Sequence, residues 1–382
     1  MTTIKKLSRY PCAILFFVLL FAVSVVDAIK PDASMSELEN RVLNQAPSFS
    51  ISSLLDDRWT KAYGEYVRDQ FVLRDEWMRA YSFIEQNALG KLEIGGVWLA
   101  RDNYLMAKMQ SFGTWEQRAL QTNIESVIGL AESYPGKVYL MIVPSVSNIM
   151  GDYLRSDPPR IDENRIMDEM FIQLSGAGVH VVDLRDDFTT SRAAGAQIFY
   201  RTDHHWTTDG GAYIAYETFC RAVGRNSQMP DEDQKKLVEG FLGTNYSKSL
   251  VANVLPDTLV YYDFPNPMSI EKIAESGEPV WRTNPVIDYD QLSNYDKYAA
   301  FLYGNNGYSR IEGNGDGSLV LIKDSYGNCF APFLISNYRD VGIVDLRDRR
   351  HVSDVIDPDS DILVLYSFSS FIQEQNLIWL RD

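Results

Sequence analysis

Two short runs hold side chains whose types and spacing could do chemistry. The first is Tyr200-Arg201-Thr202-Asp203-His204-His205-Trp206-Thr207-Thr208-Asp209-Gly210-Gly211. Asp203 and His205 are two residues apart, so on extended backbone they project to one side and His204 to the other. A carboxylate so placed accepts the Nδ1 proton of the imidazole and leaves Nε2 as a base. The second run is Leu319-Val-Leu-Ile-Lys323-Asp324-Ser325-Tyr326-Gly327-Asn328. A serine is a weak nucleophile until a base takes its proton, and His205 could be that base for Ser325. Free N–H groups at the Ser325/Tyr326 helix start would stabilise an oxyanion. The same address equally suits an ordinary N-cap serine. The chain has four histidines. His180 falls in a strand run, His351 in a polar loop and His204 faces away, which leaves His205. A metal is the weaker reading, because adjacent histidines on a strand diverge and no third lies near in sequence.

The elements around these runs read as an α/β domain. Glu116–Ser133 is helical, Lys137–Val143 is a buried strand, Asp162–Leu174 is helical and Val179–Leu184 is the next strand. Ile198-Phe-Tyr200 leads as a strand into the histidine pair, and Gly211–Val223 is a helix behind a Thr-Thr-Asp cap. The runs beginning at Leu319, Gly342 and Ile362 are three more short strands. Such β-branched runs predict a mostly parallel sheet covered on both faces, with ligands at the strand C-termini. Residues 29–110 form an N-terminal extension. It holds a helix over Trp59–Gln86 and a hairpin that turns at Asp102-Asn103. The domain proper spans 111–382, with an irregular insertion of short strands over 225–315 that borders a cleft. Its aromatics, Tyr246, Tyr261, Trp281, Tyr295, Tyr298 and Tyr303 among them, suit either stacking on sugar rings or a plain core.

Composition narrows the function. With 36 Lys+Arg against 52 Asp+Glu the formal charge is −16, which argues against a nucleic-acid surface. Three cysteines are too few for a disulfide scaffold. Lys5, Lys6 and Arg9 precede an apolar run from Cys12 to Val26, so residues 1–28 read as a signal peptide or an uncleaved signal-anchor. Either puts the body outside the cytoplasm. Cleavage would remove three positive charges and one negative, leaving −18, and only Cys220 and Cys329 would remain, as a pair or as two buried thiols. Arg201 and Lys323 are the local cations that could hold a charged polymer, with Trp206 beside them.

Thr202-Asp203-His204-His205-Trp206-Thr207 resembles the signature of bacterial DHHW-family proteins, which are similar to the periplasmic alginate O-acetyltransferase proteins. Further blocks resemble the family in the expected order. They are Ser36–Arg41, Asp69-Gln70-Phe71 with Leu73-Arg74-Asp75, Gly243–Ser249, and Ile322–Tyr326 with Pro332-Phe333-Leu334. The resemblance implies an SGNH-hydrolase-like, flavodoxin-like α/β fold with a circularly permuted motif order. It implies a triad of Ser325, His205 and Asp203. Related enzymes add a Gly and an Asn to the oxyanion hole. Gly304-Asn305 is the candidate here, beside a turn-residue reading, and the last strand ends Tyr366-Ser367-Phe368-Ser369 without an Asn.

The function implied is an extracytoplasmic carbohydrate O-acetyltransferase or acetylesterase working through an acyl-serine. It needs no cofactor and no metal, and it takes a polysaccharide or cell-wall glycan as substrate. A membrane-bound O-acyltransferase is the implied partner and source of acetyl groups. The alternative is a catalytically weak or inactive polysaccharide-binding accessory protein.

Overall fold

The computed structural model describes residues 10–36, 38–39, 41–273, 279–349 and 352–381, so His351 lies outside the described residues. The chain divides into two compact units, Met1–Lys91 with Leu250–Ala252, and Leu92–Ser249 with Asn253–Asp382.

The smaller unit holds three main helices, α1 (Pro11–Ile29), α2 (Arg58–Gln70) and α3 (Arg74–Asn87). α1 is long and apolar enough to cross a membrane. The single helix expected over 59–86 is broken at Phe71–Leu73, where Leu73 has φ +56°. The backbone group freed at the break has a partner. The Val72 N–H, which a continuous helix would give to a carbonyl one turn back, donates instead to Asp27 Oδ1 at 2.8 Å. Asp69, just before the corner, is buried and accepts both terminal nitrogens of Arg41 at 2.6 and 2.8 Å. The resemblance blocks around Arg41 and Asp69 therefore make a corner that packs.

The larger unit opens with a small antiparallel sheet of β1 (Glu93–Ile94), β2 (Val97–Leu99) and β3 (Leu105–Ala107). The β2–β3 turn runs through Asp102 and Asn103, both at positive φ. β3 is tied into this unit, since the Leu105 N–H donates to Arg201 O at 2.7 Å and Asn245 Nδ2 to Leu105 O at 2.8 Å. The compact boundary thus falls at Leu92, ahead of the hairpin rather than behind it.

Then come α4 (Thr114–Ser133), β4 (Val138–Val143), α5 (Glu163–Gly176), β5 (His180–Asp183), α6 (Arg185–Ala193) and α7 (Tyr213–Val223). The insertion supplies β6 (Lys235–Phe241), α8 (Thr244–Ser249), β7 (Asp257–Tyr262), β8 (Met268–Ile273) and β9 (Pro279–Asn284). The chain closes with β10 (Tyr308–Glu312), β11 (Ser318–Lys323), β12 (Asp340–Val344), β13 (Asp361–Ser367) and α9 (Phe368–Gln373). The main sheet has the order β9-β8-β10-β12-β11-β13-β4-β5. Its five strands from β12 to β5 are all parallel, and β8, β9 and β10 extend it antiparallel.

Alternation along the strands builds two cores. Tyr139, Met141, Leu319, Leu321, Leu363 and Leu365 face one side, with α7 and much of the insertion. Leu140, Ile142, Val320, Ile322, Ile362 and Val364 face the other, against α4, α5 and α9. Strands whose both faces are buried read as unbroken apolar runs, which is why they were visible in the sequence. One expectation is sharpened and one needs correction. The insertion over 225–315 holds the short strands expected of it, and β8–β10 lengthen the main sheet. Ile198–Tyr200 is no sheet strand; Phe199 and Trp206 form a single antiparallel bridge, and Asp203 sits at the tip of the loop between them.

Candidate active site

The Asp203 loop is fastened from below. Asp257, at the start of β7 and buried, accepts the backbone N–H groups of Arg201 at 3.0 Å and Thr202 at 2.8 Å, and the Thr202 hydroxyl at 2.8 Å. Thr202 Oγ1 takes the Gly243 N–H at 3.1 Å, and Thr202 O takes the Tyr246 N–H at 3.0 Å. Gly243 is required sterically, since a Cβ there would lie 2.2 Å from Asp203 Cβ and Oδ2. The loop is therefore locked to the start of α8.

On this base Asp203 is fully engaged. Its Oδ1 accepts the His205 N–H at 2.9 Å and lies 2.5 Å from His205 Nδ1. Its Oδ2 accepts the Thr244 N–H at 2.6 Å and the Thr244 hydroxyl at 3.1 Å. Burial alone would raise its pKa. The nearby imidazoles of His204 and His205 and the Thr244 N–H outweigh that and hold the carboxyl well below the usual carboxylate range. An acceptor-only carboxylate fixes the His205 tautomer with the proton on Nδ1. The other ring nitrogen, Nε2, lies 2.7 Å from Ser325 Oγ. Ser325 follows β11, and Asp324 sets its turn, with Oδ1 accepting the Tyr326 N–H at 2.9 Å and Oδ2 the Ser367 N–H at 2.8 Å.

Beside this chain of contacts lies a cavity of about 320 Å³ at the C-terminal ends of β4 and β13, bounded by Ser145, His204, Lys248, Tyr326, Ser367 and Ser369. His204 faces it and holds Thr244 Oγ1 at 2.5 Å through Nδ1. Burial and the neighbouring His205 push the His204 imidazole pKa down, against the pull of Asp203. Donor atoms of Asp203, His204 and His205 lie within 4.8 Å of one another. Asp203 and the His205 nitrogens are occupied by the contacts above, and His204 Nδ1 by Thr244, so the cluster is arranged as a hydrogen-bond relay.

Several sequence-predicted residues sit elsewhere. Lys323 is 1% exposed and pairs with Asp345 at 3.0 Å, so it faces no ligand. It is the last residue of β11, and its side chain continues the inward alternation of the strand. Trp206 is 0% exposed and donates its Nε1–H to Tyr326 O and Cys329 Sγ, both at 3.1 Å, as a core residue. Arg201 lies over the Tyr104 ring at 5.7 Å, and its guanidinium is 3.8 Å from Asp257. The Tyr326 N–H is taken by Asp324, which leaves the Ser325 N–H as the backbone donor without an acceptor among the described residues. The helix behind it, Gly327–Phe330, is short and passes into a 3-10 turn. Gly304 takes φ +77° in a turn, and Asn305 Oδ1 accepts from Lys323 Nζ at 3.3 Å and Asn328 Nδ2 at 3.2 Å. Cys220 and Cys329 are free and buried, not bridged.

Sequence reasoning left Thr244, Asp257 and Tyr298 without roles at the site. Tyr298 stacks on the His205 ring with centroids 3.8 Å apart and planes 10° apart. Thr244 had a signal in the Gly243–Ser249 block; Asp257 and Tyr298 had none beyond their residue type.

Known proteins agree with this architecture. The chain is 28% identical over 182 residues to the probable alginate O-acetylase AlgJ of Pseudomonas putida, covering 46% of each chain. It is 23% identical over 245 residues to the probable alginate O-acetylase AlgJ of Pseudomonas syringae pv. tomato, covering 62% of this chain and 61% of that one. It thus spans about half to three-fifths of the length of these relatives. A crystal structure of a DHHW family protein from Eubacterium siraeum superposes with a TM-score of 0.58 at 21% identity, over 75% of this chain and 95% of that one. Bacillus cereus PatB1 gives 0.57 at 17% identity, over 73% and 98%. The shared fold is the α/β arrangement expected from the sequence, a mostly parallel sheet with helices on both faces. The family model for DHHW protein matches residues 116–344, more than half of the sequence and both chemical runs, and the chain belongs to the DHHW protein family.

Proposed function

We propose that the protein is an extracytoplasmic carbohydrate O-acetyltransferase or acetylesterase in which Ser325 is the nucleophile, His205 the base and Asp203 its orienting carboxylate. The observation that carries this reading is the continuous line Asp203 Oδ1–His205 Nδ1 at 2.5 Å and His205 Nε2–Ser325 Oγ at 2.7 Å. Both distances are within proton-transfer reach without a bound substrate. Ser325 Oγ gives its proton to His205 Nε2 and attacks the acyl carbonyl. The oxyanion meets the Ser325 N–H, and His205 returns the proton to the departing oxygen. A sugar hydroxyl, or water, then loses its proton to His205 and attacks the acyl-serine, and as the acyl–Oγ bond breaks His205 Nε2 returns that proton to Ser325 Oγ.

The relatives named as alginate O-acetylases support a polysaccharide acceptor and acetyl as the acyl group. The apolar helix α1 supports a body outside the cytoplasm, held at a membrane or released from it. There an acetyl group would come from a membrane-bound O-acyltransferase. One observation favours the second reading, a weakly active or inactive glycan-binding protein: Asp324 occupies the Tyr326 N–H, so the oxyanion has a single open backbone donor at this turn.

The deciding experiment is release of p-nitrophenol from its acetyl ester by the full chain, beside Ser325→Ala and His205→Ala. Turnover lost in both variants supports the triad. An inert wild type that binds oligosaccharide overturns the enzyme reading in favour of the second. Adding an oligosaccharide acceptor and weighing the products separates transfer from hydrolysis.

A further inference from the structure

We propose that Tyr298 is a positioning residue that holds both members of the Ser325–His205 pair with one side chain, an inference that rests on the acyl-transfer reading above. Its ring lies flat on the His205 imidazole, centroids 3.8 Å apart and planes 10° apart. Its hydroxyl donates to Ser325 O at 3.1 Å and lies 3.3 Å from Cys329 Sγ. Tyr298 is 4% exposed, and burial pushes its phenol well above the ordinary value, so it stays a hydrogen-bond donor.

The contact supplies what Asp203 does not. The Asp203 bond fixes one edge of the imidazole within its own plane, and that leaves the ring able to tilt about the edge. A tilt moves Nε2 out of line with Ser325 Oγ, and proton transfer falls steeply with misalignment. A flat aromatic neighbour at van der Waals distance blocks the tilt from one face. The hydroxyl, bonded to the Ser325 carbonyl, fixes the backbone that carries Oγ. Tyr298 is itself held by the 3-10 turn Lys297–Ala300, where Asp296 Oδ1 accepts the Ala299 N–H at 3.3 Å, and by Phe301 at 5.3 Å between centroids. The insertion therefore contributes a support for the base, and this aromatic serves neither sugar stacking nor a plain core alone.

The test compares Tyr298→Leu and Tyr298→Phe in steady-state hydrolysis of p-nitrophenyl acetate, with thermal unfolding to check each fold. Tyr298→Leu is expected to lower kcat roughly tenfold with KM within about twofold, because it loosens alignment and not binding. Tyr298→Phe keeps the ring and is expected to stay within about threefold of wild type. Proton NMR of the His205 ring supplies a second readout. The stacked phenol shields those ring protons beside the His204 and Tyr326 rings, 3.8 and 5.0 Å away, and the upfield shift persists in Tyr298→Phe and falls in Tyr298→Leu to what those two rings supply. Full kcat in Tyr298→Leu overturns the proposal, and a Tyr298→Phe loss as large as that of Tyr298→Leu overturns the part assigned to the ring, leaving the hydroxyl alone. If Tyr298→Leu fails to fold, unshielded His205 protons in the wild type overturn it. A wild type inert to the ester overturns the acyl-transfer reading and this role together, an outcome distinct from failure of Tyr298 alone.

Discussion

Lys323 and Ser325 leave strand β11 two residues apart and enter two different kinds of polar surroundings. Lys323 joins a closed cluster. Its ammonium pairs with Asp345 at 3.0 Å, and Asp345 also takes Arg347 Nη2 at 2.6 Å, Arg347 Nε at 2.8 Å and the Arg347 N–H at 3.1 Å. Burial pulls the lysine pKa down while Asp345 pulls it up, and the net direction is down. Ser325 ends a cluster with the same ingredients, a buried carboxylate and a nitrogen base, yet that cluster stops at a half-buried hydroxyl beside the cavity. Buried charge at a sheet edge is therefore no sign of chemistry by itself. What separates the two is whether the last group in the chain has a fixed ionic partner or a proton to give.

The sharpest way to break this contrast is to remove the open end. Ser325→Ala and His205→Ala are each expected to lose about 10³-fold or more in ester turnover, and the double variant about the same, since the two act as a unit. Additive losses would mean that Ser325 and His205 act separately.

Removing Lys323 should do the reverse. Lys323→Met leaves Asp345 with Arg347 alone in a buried position, and is expected to cost about 2–4 kcal/mol of stability. Turnover per folded molecule should stay within a few-fold. Urea unfolding followed by the ester assay checks both. A large fall in turnover with unchanged stability would make the two clusters one site.

The difference between these clusters explains what the sequence made legible. The parallel strands could be read because both of their faces are buried. Asp203, His205 and Ser325 could be selected because the Asp-x-His spacing and the buried strand before Ser325 are local properties, although the strand expected before Asp203 is a loop. Trp206 and Lys323 looked equally available for ligand, being polar or aromatic neighbours of those residues. Their directions are set by packing against Tyr326, Cys329 and Asp345, contacts that span from 22 to 123 positions of chain. Asp257, Thr244 and Tyr298 come from the insertion, where no periodicity marks which side chain turns inward. Likewise Tyr326 N–H looked free for an oxyanion until the Asp324 side chain was seen to fold back onto it.

A third buried carboxyl sharpens the comparison, because its hydrogen bonds come from a neutral partner. Glu163 accepts the Ser145 N–H at 2.8 Å and the Ser145 hydroxyl at 2.5 Å, and burial pushes its pKa up to about 7, the serine bonds opposing. Its folded-state value lies above the ordinary 4.5, so between those pH values the folded protein binds more protons than the unfolded chain. Stability should therefore fall as pH rises from about 4.5 through 7, by about 3 kcal/mol in all. Glu163→Gln should flatten that slope in urea midpoints measured at pH 5 and pH 8. An unchanged slope would show that this carboxyl is ionised in the fold, as Asp203 is.

The smallest expected effect probes how finely the open cluster is set. Thr244 grips Asp203 Oδ2 twice, by N–H at 2.6 Å and by hydroxyl at 3.1 Å, and its Oγ1 also lies 2.5 Å from His204 Nδ1. Thr244→Val keeps shape and the backbone bond and removes one hydrogen bond to a charged acceptor, worth about 1.5–3 kcal/mol when the acceptor is left unpaired. The retained N–H lowers that cost here. If only part of it reaches the transition state, turnover should fall about tenfold, with thermal stability changed by a few degrees. Closed clusters such as Lys323–Asp345 are expected to absorb the loss of one bond as stability alone. A Thr244→Val variant with full turnover and lowered stability would place Asp203 in that class, and its carboxylate would then be holding the loop rather than orienting the base.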